Sequence, residues 1–280
     1  MKIRTLRPFS LAIVALVLGL LVPASLQSQD LTDQLALQTW TMRKLSFEEM
    51  TDFAVKIGIS DLELWSNSAG GHINPLAPWE EIEQKKKVLD SKGLKVYAFG
   101  VTNAIKNEEQ LRKTFELARY MGMEMIIVEP REKRELDLLE KFAAVYDIKV
   151  AVHNHTIDSP FGNPVTVKML LADRDPRVGI CLDAGWMTTT GRDVAEVYKE
   201  YGDRVFDIHL KDKLIGDGNA QDHSFKDVAI GTGDTNFPGL FDAMKESGYS
   251  GRLAIETDQE LQDPTDFVKG AIAYVEQNGR

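Results

Sequence analysis

The chain has 280 residues, 43% of them hydrophobic and 27% charged, an ordinary globular balance that excludes disordered and collagen-like classes. A formal net charge of −10 gives a surface that repels phosphate backbones, so nucleic acid is not expected as a partner. Less its N-terminal segment, the chain is close to the roughly 250 residues of a single α/β barrel.

The first element stands apart from the fold. Lys2, Arg4 and Arg7 are basic, residues 11–22 (LAIVALVLGLLV) are apolar, and residues 23–28 are small and polar. A run of about a dozen apolar residues falls short of the about twenty that span a bilayer. Residues 1–28 therefore read as a cleaved signal peptide rather than an anchor. The protein is expected to be exported, periplasmic or secreted, without stable membrane association after cleavage, and residues 29–280 are expected to form one barrel. The single cysteine, Cys181, cannot form an internal disulfide and reads as a buried packing residue.

From residue 35 onward, β-branched runs alternate with amphipathic segments. Strands are predicted at 35–40, 61–65, 95–100, 124–129, 149–153, 177–182, 204–210 and 252–256. Helices are predicted at 46–57, 78–92, 107–121, 133–145, 165–172, 192–201, 237–247 and 264–276. Leu111, Phe115, Leu117 and Ala118 illustrate the helical spacing. Ser46 before Glu48 and Glu49 suits a helix N-terminus, and Gly58, Gly93, Gly122 and Gly248 fall just past helix ends. Eight strand–helix units in alternation predict a closed (β/α)8 TIM barrel. An open dinucleotide-binding sheet would place a glycine-rich loop after its first strand, where Trp40-Thr41-Met42-Arg43 stands. Gly231-Thr232-Gly233 reads as a plain turn into a helix.

Barrel active sites form where the strands end. Here the later strands run out as Val128-Glu129-Pro130, Val152-His153-Asn154-His155, Cys181-Leu182-Asp183, Asp207-Ile208-His209 and Ala254-Ile255-Glu256. His72 follows the second strand and His223 the seventh, so all five histidines fall on one face. Carboxylates and imidazoles converging there would repel or stay unsatisfied unless a cation lay between them. Mixed oxygen and nitrogen donors suit Mn²⁺, Zn²⁺, Co²⁺ or Fe²⁺.

The strings LELWSNSAGGHI, VAVHNHT, VGICLDAGWM, FDIHLKDK and GTGDTNFPGLFDAMKESGYSGRLAIET resemble the sugar phosphate isomerase/epimerase family of xylose isomerase-like barrels. The likeness runs from about Leu35 to the last helix. It implies a divalent ion, most often Mn²⁺, held by Asp183, His209 and Glu256, and a substrate-side lysine at Lys211. The fifth strand departs from the family epimerases, which carry there a glutamate that binds metal and moves the proton. This chain has His153 and His155 instead. His155 is the favoured fourth ligand, with His153 and Glu129 as alternatives. Glu129, His153 and Glu256 are the expected catalytic groups. His72, Trp186 and Lys211 are the expected substrate-binding groups, Trp186 standing where epimerases often carry a histidine.

The resemblance implies an isomerase or lyase working through an enediolate-type intermediate, and the expected export, with no arginine cluster for a phosphate, points to an unphosphorylated sugar, keto-sugar or glycoside as its substrate. Epimerisation is the alternative within the family, and loss of the paired glutamates disfavours it. A metal-dependent hydrolase, or a sugar-binding barrel without activity that uses Trp65, Trp186 and Tyr97 as its platform, stands outside it. A small-molecule sugar is the expected partner, and assembly as a homo-oligomer is left open.

Overall fold

A computed structural model describes residues 30–67, 70–103, 105–216 and 225–280. The expected signal peptide and His223 lie outside the described residues. Eight parallel strands form the barrel: β1 (Leu35–Gln38), β2 (Asp61–Asn67), β3 (Lys95–Thr102), β4 (Met125–Val128), β5 (Lys149–His153), β6 (Val178–Asp183), β7 (Val205–Leu210) and β8 (Arg252–Ile255). Each pairs with the next, and Leu35 opposite Leu253 joins β1 to β8, which closes the sheet.

The helices are α1 (Phe47–Ile57), α2 (Trp79–Ser91), α3 (Glu108–Met121), α4 (Lys133–Tyr146), α5 (Pro164–Leu171), α6 (Ala184–Thr188), α7 (Val194–Tyr201), α8 (Phe237–Ser247) and α9 (Thr265–Asn278). All eight predicted strand–helix units are present. The unpredicted α6 is a single turn directly after β6. No helix among the described residues is long and apolar enough to cross a membrane.

Local chemistry explains these boundaries. At α1, Ser46 accepts from the Glu49 amide at 3.2 Å while its own amide donates to the Glu49 carboxylate at 2.8 Å. Gly58 ends that helix at φ 84°, a conformation that favours glycine. The first strand stops two residues short of its predicted end. The Gln38 side-chain oxygen accepts from the Trp40 amide at 2.9 Å and turns Thr39–Met42 into a short 3-10 helix.

Strand alternation divides the packing in two. Outward residues such as Leu37, Leu62 and Leu64 join Phe115, Phe241 and others in the layer between strands and helices. Inward positions begin with a mostly small set, Ala36, Ala98, Ala151, Cys181 and Ala254, together with Tyr97, Met125, Ile127 and Phe206. Further toward the C-terminal mouth the inward residues turn polar: Gln38, Glu63, His153, Asp183, His209 and Glu256 are all buried.

After β7, Asp212–Ile215 and Phe225–Val228 pair as an antiparallel hairpin. Buried Asp212 accepts from the amides of Gly231 and Gly233 at 2.9 and 2.8 Å, so the glycine turn before α8 is held by the protein itself. A β-carbon on Gly233 would lie 2.4 Å from Asp212 Oδ1 and 2.7 Å from the Lys213 carbonyl. Gly233→Ala is therefore expected to lower stability by about 1–3 kcal/mol. A reduced urea midpoint would show this, and an unchanged midpoint would mean that the turn relaxes freely.

Candidate metal centre and substrate pocket

Three strand ends and one residue beyond a fourth deliver the central group. His153 closes β5, Asp183 closes β6, His209 lies near the end of β7, and Glu256 follows β8 with its amide donating to the Leu210 carbonyl at 3.2 Å. One ligand-capable atom from each of the four lies within 4.8 Å of the others, and all four residues are buried. His209 Nδ1 is 2.6 Å from Glu256 Oε2 and 3.8 Å from Asp183 Oδ2, while His153 Nε2 is 3.4 Å from Asp183 Oδ2.

These contacts are close, yet they are not hydrogen bonds. Asp183 Oδ2, His209 Nδ1, Glu256 Oε2 and both His153 nitrogens lack a hydrogen-bond partner among the described residues, although the Lys211 ammonium forms ion pairs with the two carboxylate oxygens. Buried polar atoms are normally paired, because each unpaired one costs about 1–3 kcal/mol. Several facing one point fit a shared cation. Two carboxylates and two imidazoles suit a divalent transition-metal ion.

The neighbours hold this arrangement in place. The Asn154 side chain donates to the Asp183 carbonyl at 3.1 Å and accepts from its amide at 2.9 Å. Asp183 Oδ1 caps α6 by accepting from the Trp186 amide at 2.8 Å, which leaves Oδ2 for the centre. Lys211 is buried, with its ammonium 3.2 Å from Asp183 Oδ2, 3.3 Å from Glu256 Oε2 and 3.2 Å from Asp258. Gly185 lets it pack there, since a β-carbon at that position would come within 2.9 Å of Lys211 Cγ.

Burial opposes the charge on Lys211, but Asp183, Glu256 and Asp258 outweigh it and keep the ammonium protonated well above its ordinary range. Burial likewise works against a charged Glu256, and Lys211 and His209 overcome it, holding the carboxyl down to about 2. Asp183 is held well below its ordinary value in the same way.

A second group lies deeper, and it is satisfied. Asp207 accepts from the Tyr97 hydroxyl at 3.0 Å and from the Cys181 thiol at 3.5 Å. His209 Nε2 meets Glu63 Oε2 at 2.8 Å, and Gln38 Nε2 donates to Glu63 Oε1. Burial, reinforced by the Glu63 charge, pushes Asp207 up to about 7. Cys181, Asp207 and His209 also stand within ligating distance of one another, but the atoms of Cys181 and Asp207 already have partners.

Above the centre lies a cavity of about 200 Å³. Trp40, Trp65 and Trp186 supply aromatic surface, and Glu129, His155, Lys211 and Asp258 supply polar groups. Trp40 packs edge-on to Trp65 at 5.1 Å and donates to Asp258 at 3.1 Å. Among the described residues four cavities are larger, and two of them, of about 330 and 310 Å³, share Glu124 and Arg252 in their linings at the opposite, N-terminal mouth. Neither is lined by an unpaired buried polar atom, so volume does not mark the site.

The expected site residues fall into three places. Asp183, His209 and Glu256 meet, with Lys211 against them. Glu129 and Trp186 line the cavity. Two positions differ from expectation. His153, rather than His155, completes the four-donor group: β5 ends at His153, and Asn154 turns onto the Asp183 backbone, so the alternation that would carry His155 inward is lost. His155 instead lines the cavity, its ring 4.2 Å from that of Trp186. Burial, and then His153, keep its imidazole below the ordinary histidine value. His72 does not line the cavity. It stands behind Trp65, ring to ring at 5.7 Å, with Nε2 3.1 Å from the Leu45 carbonyl. Burial lowers its pKa to about 4, which suits a neutral packing residue.

Sequence reasoning passed over Gln38, Glu63, Asp207 and Asp258. The signal for Glu63 and Asp207 is an acid inside an apolar strand, Leu62-Glu63-Leu64 and Phe206-Asp207-Ile208. Such a residue needs a buried partner.

A sequence profile of the xylose isomerase-like TIM barrel matches residues 51–276. The chain belongs to that family. An inosose dehydratase of Lactiplantibacillus plantarum is 26% identical over 155 residues, which are 49% of this chain and 50% of that one. The chain thus spans about half the length of the curated relatives it matches. Among solved structures, a D-tagatose 3-epimerase-like protein superposes with a TM-score of 0.68 at 19% identity, covering 87% of this chain and 96% of its own. The probable 3-DHS dehydratase AsbF of Bacillus anthracis gives 0.66 at 15% identity, covering 86% and 98%. These two likenesses concern the fold. The resemblance seen in the sequence is borne out at the level of the family.

The buried carboxylates carry a pH dependence. Glu256 titrates near 2 in the folded protein and near 4.5 when unperturbed, so its contribution is fully present above 4.5 and is lost as pH falls toward 2. With divalent ions chelated, urea midpoints measured across that range are expected to fall. Glu256→Gln should make the fall shallower.

Proposed function

We propose that this barrel is a divalent-metal-dependent lyase or isomerase of an unphosphorylated keto-sugar or closely related polyhydroxy ketone, with β-elimination of water as the leading reaction. The observation that carries the reading is the set of converging buried donors from His153, Asp183, His209 and Glu256, without hydrogen-bond partners, at the floor of an aromatic-walled cavity. Relatives named inosose dehydratase support elimination chemistry on a small polyol ketone.

His153, Asp183, His209 and Glu256 would hold the ion. When bound, it supplies Lewis-acid polarisation of the substrate carbonyl and counter-charge for the oxyanion that forms on loss of the adjacent proton. The tryptophans offer flat apolar faces to the C–H side of a sugar. Lys211 adds fixed positive charge beside the developing oxyanion. His155 and Glu129 stand in the cavity wall outside the donor group and are the groups available to move protons. An imidazole held below its ordinary pKa is neutral at pH 7 and able to accept one. In elimination, the proton leaves the carbon next to the carbonyl, the electron pair forms the double bond, and the hydroxyl on the next carbon departs, protonated, as water.

Two features favour this over two-faced epimerisation of a sugar phosphate. The fifth-strand donor is an imidazole, His153, and not a second carboxylate able to shuttle protons opposite Glu256. Lys211 is the one cationic side chain in the described cavity lining, and its charge is already shared among Asp183, Glu256 and Asp258. A phosphate would find no guanidinium there. The proposal includes export, on the strength of the basic and apolar pattern in residues 1–28.

Keto-sugars and cyclic polyhydroxy ketones incubated with the Mn²⁺-loaded protein are expected to lose the mass of one water by mass spectrometry. Chelation should abolish this, and Asp183→Asn should reduce kcat/KM roughly 100-fold or more. Turnover that survives chelation would reject the mechanism. A mass-neutral change in the substrate would point to isomerisation, and binding without change to a non-catalytic barrel. Trp186→Ala is expected to raise KM more than it lowers kcat, as loss of a stacking surface should, and steady-state kinetics on the active substrate would show the split.

A further inference from the structure

His209 is the residue on which the proposed centre turns, because its two ring nitrogens face different worlds. Nδ1 points at Glu256 and Asp183 with no hydrogen-bond partner, while Nε2 is 2.8 Å from Glu63 Oε2. An imidazole can offer a lone pair to a cation from one nitrogen only if the other carries the ring proton. Something in the structure must decide which nitrogen that is.

The decision traces back to two backbone groups. The Trp40 amide can only donate, and it donates to Gln38 Oε1 at 2.9 Å. The Gly100 carbonyl can only accept, and it accepts from Gln38 Nε2 at 3.2 Å. Together they fix the orientation of the Gln38 carboxamide, whose NH₂ then faces Glu63 Oε1 as a donor. This fixes Glu63 Oε1 as an acceptor, and in the carboxylate form of Glu63 it leaves Oε2 to accept from His209. Glu63, Gln38 and His209 are all buried, so water offers no alternative partner.

We infer that Glu63 is a positioning residue that keeps the His209 proton on Nε2 and aims the Nδ1 lone pair at the cation site. The assignment rests on the proposed metal centre for its purpose, but its geometry stands without it. Asp207 is the rival for this role, and it is the weaker one: its Oδ2 is 3.6 Å from Nε2 and already accepts from Cys181. Carboxylate partners of metal-bound histidines typically contribute 10–100-fold to metal affinity.

Glu63→Gln separates polarity from shape. Gln38 cannot reverse without breaking its contacts to Trp40 and Gly100, so the new side chain must turn its oxygen toward Gln38 and its NH₂ toward His209. Nε2 then becomes an acceptor and loses its proton. The His209 ring can be read by two-bond ¹H–¹⁵N correlation in metal-free and Zn²⁺-loaded protein, and Kd for Mn²⁺ and Zn²⁺ by calorimetry.

In the wild type, Nε2 is expected to be protonated in both states, whether the metal-free ring is neutral or charged. In the Glu63→Gln protein Nε2 should be unprotonated, with Kd raised about 10–100-fold. Asp207→Asn should leave Nε2 protonated. An unprotonated Nε2 in the wild type overturns the inference even if the variant does not fold. So does a protonated Nε2 in Glu63→Gln, or a switch produced by Asp207→Asn instead. If the wild type binds neither ion yet shows the expected change at Nε2, the metal-centre reading fails while the assignment of Glu63 stands.

Discussion

Buried lone pairs without partners are what the rest of this structure is arranged around. Asp183, Glu256, His209 and His153 are buried and bring like-natured acceptor atoms together at the floor of the cavity. Carboxylate oxygens and imidazole lone pairs repel at such distances, and a fold keeps them there only when positive charge compensates. Lys211 supplies part of that charge from the side.

The barrel holds the crowding in place through contacts that engage one side of each group and leave the other free. Asp183 gives one oxygen to the start of α6 and keeps the other for the centre. His209 gives Nε2 to Glu63 and keeps Nδ1. Asn154 ties two strand ends together through the Asp183 backbone. The deeper Tyr97–Asp207–Cys181 group supplies two donors for its one carboxylate and is paired throughout, in contrast to the donors above it.

The cavity adds selectivity to this centre. Three tryptophans and a few polar groups enclose a volume suited to a small polyol, whereas the larger hollows at the opposite mouth have neither converging donors nor unpaired atoms. An aromatic wall beside a fixed cation and a carboxylate-rich floor suits a ligand that is apolar on its C–H faces and oxygen-rich at its edge.

Much of this was legible in the residues themselves. Alternating strand and helix periodicities specify eight units, and the turn and cap residues around Ser46 and Gly58 mark their ends, because these are local preferences of a few neighbouring residues. Apolar runs ending in acids and histidines marked the rim, and the family resemblance singled out Asp183, His209 and Glu256 among them as ligands. Which of His153 and His155 turns inward was decided by tertiary structure, since a hydrogen-bonding side chain twenty-nine residues distant from its partner, Asn154 against Asp183, ends the strand alternation between them. The place of His72 behind Trp65 and the pairing of Glu63 with His209 were decided the same way. Periodicity tells which face a side chain takes, but the partner it meets there depends on strands far apart in the chain, and only closure of the barrel brings those together.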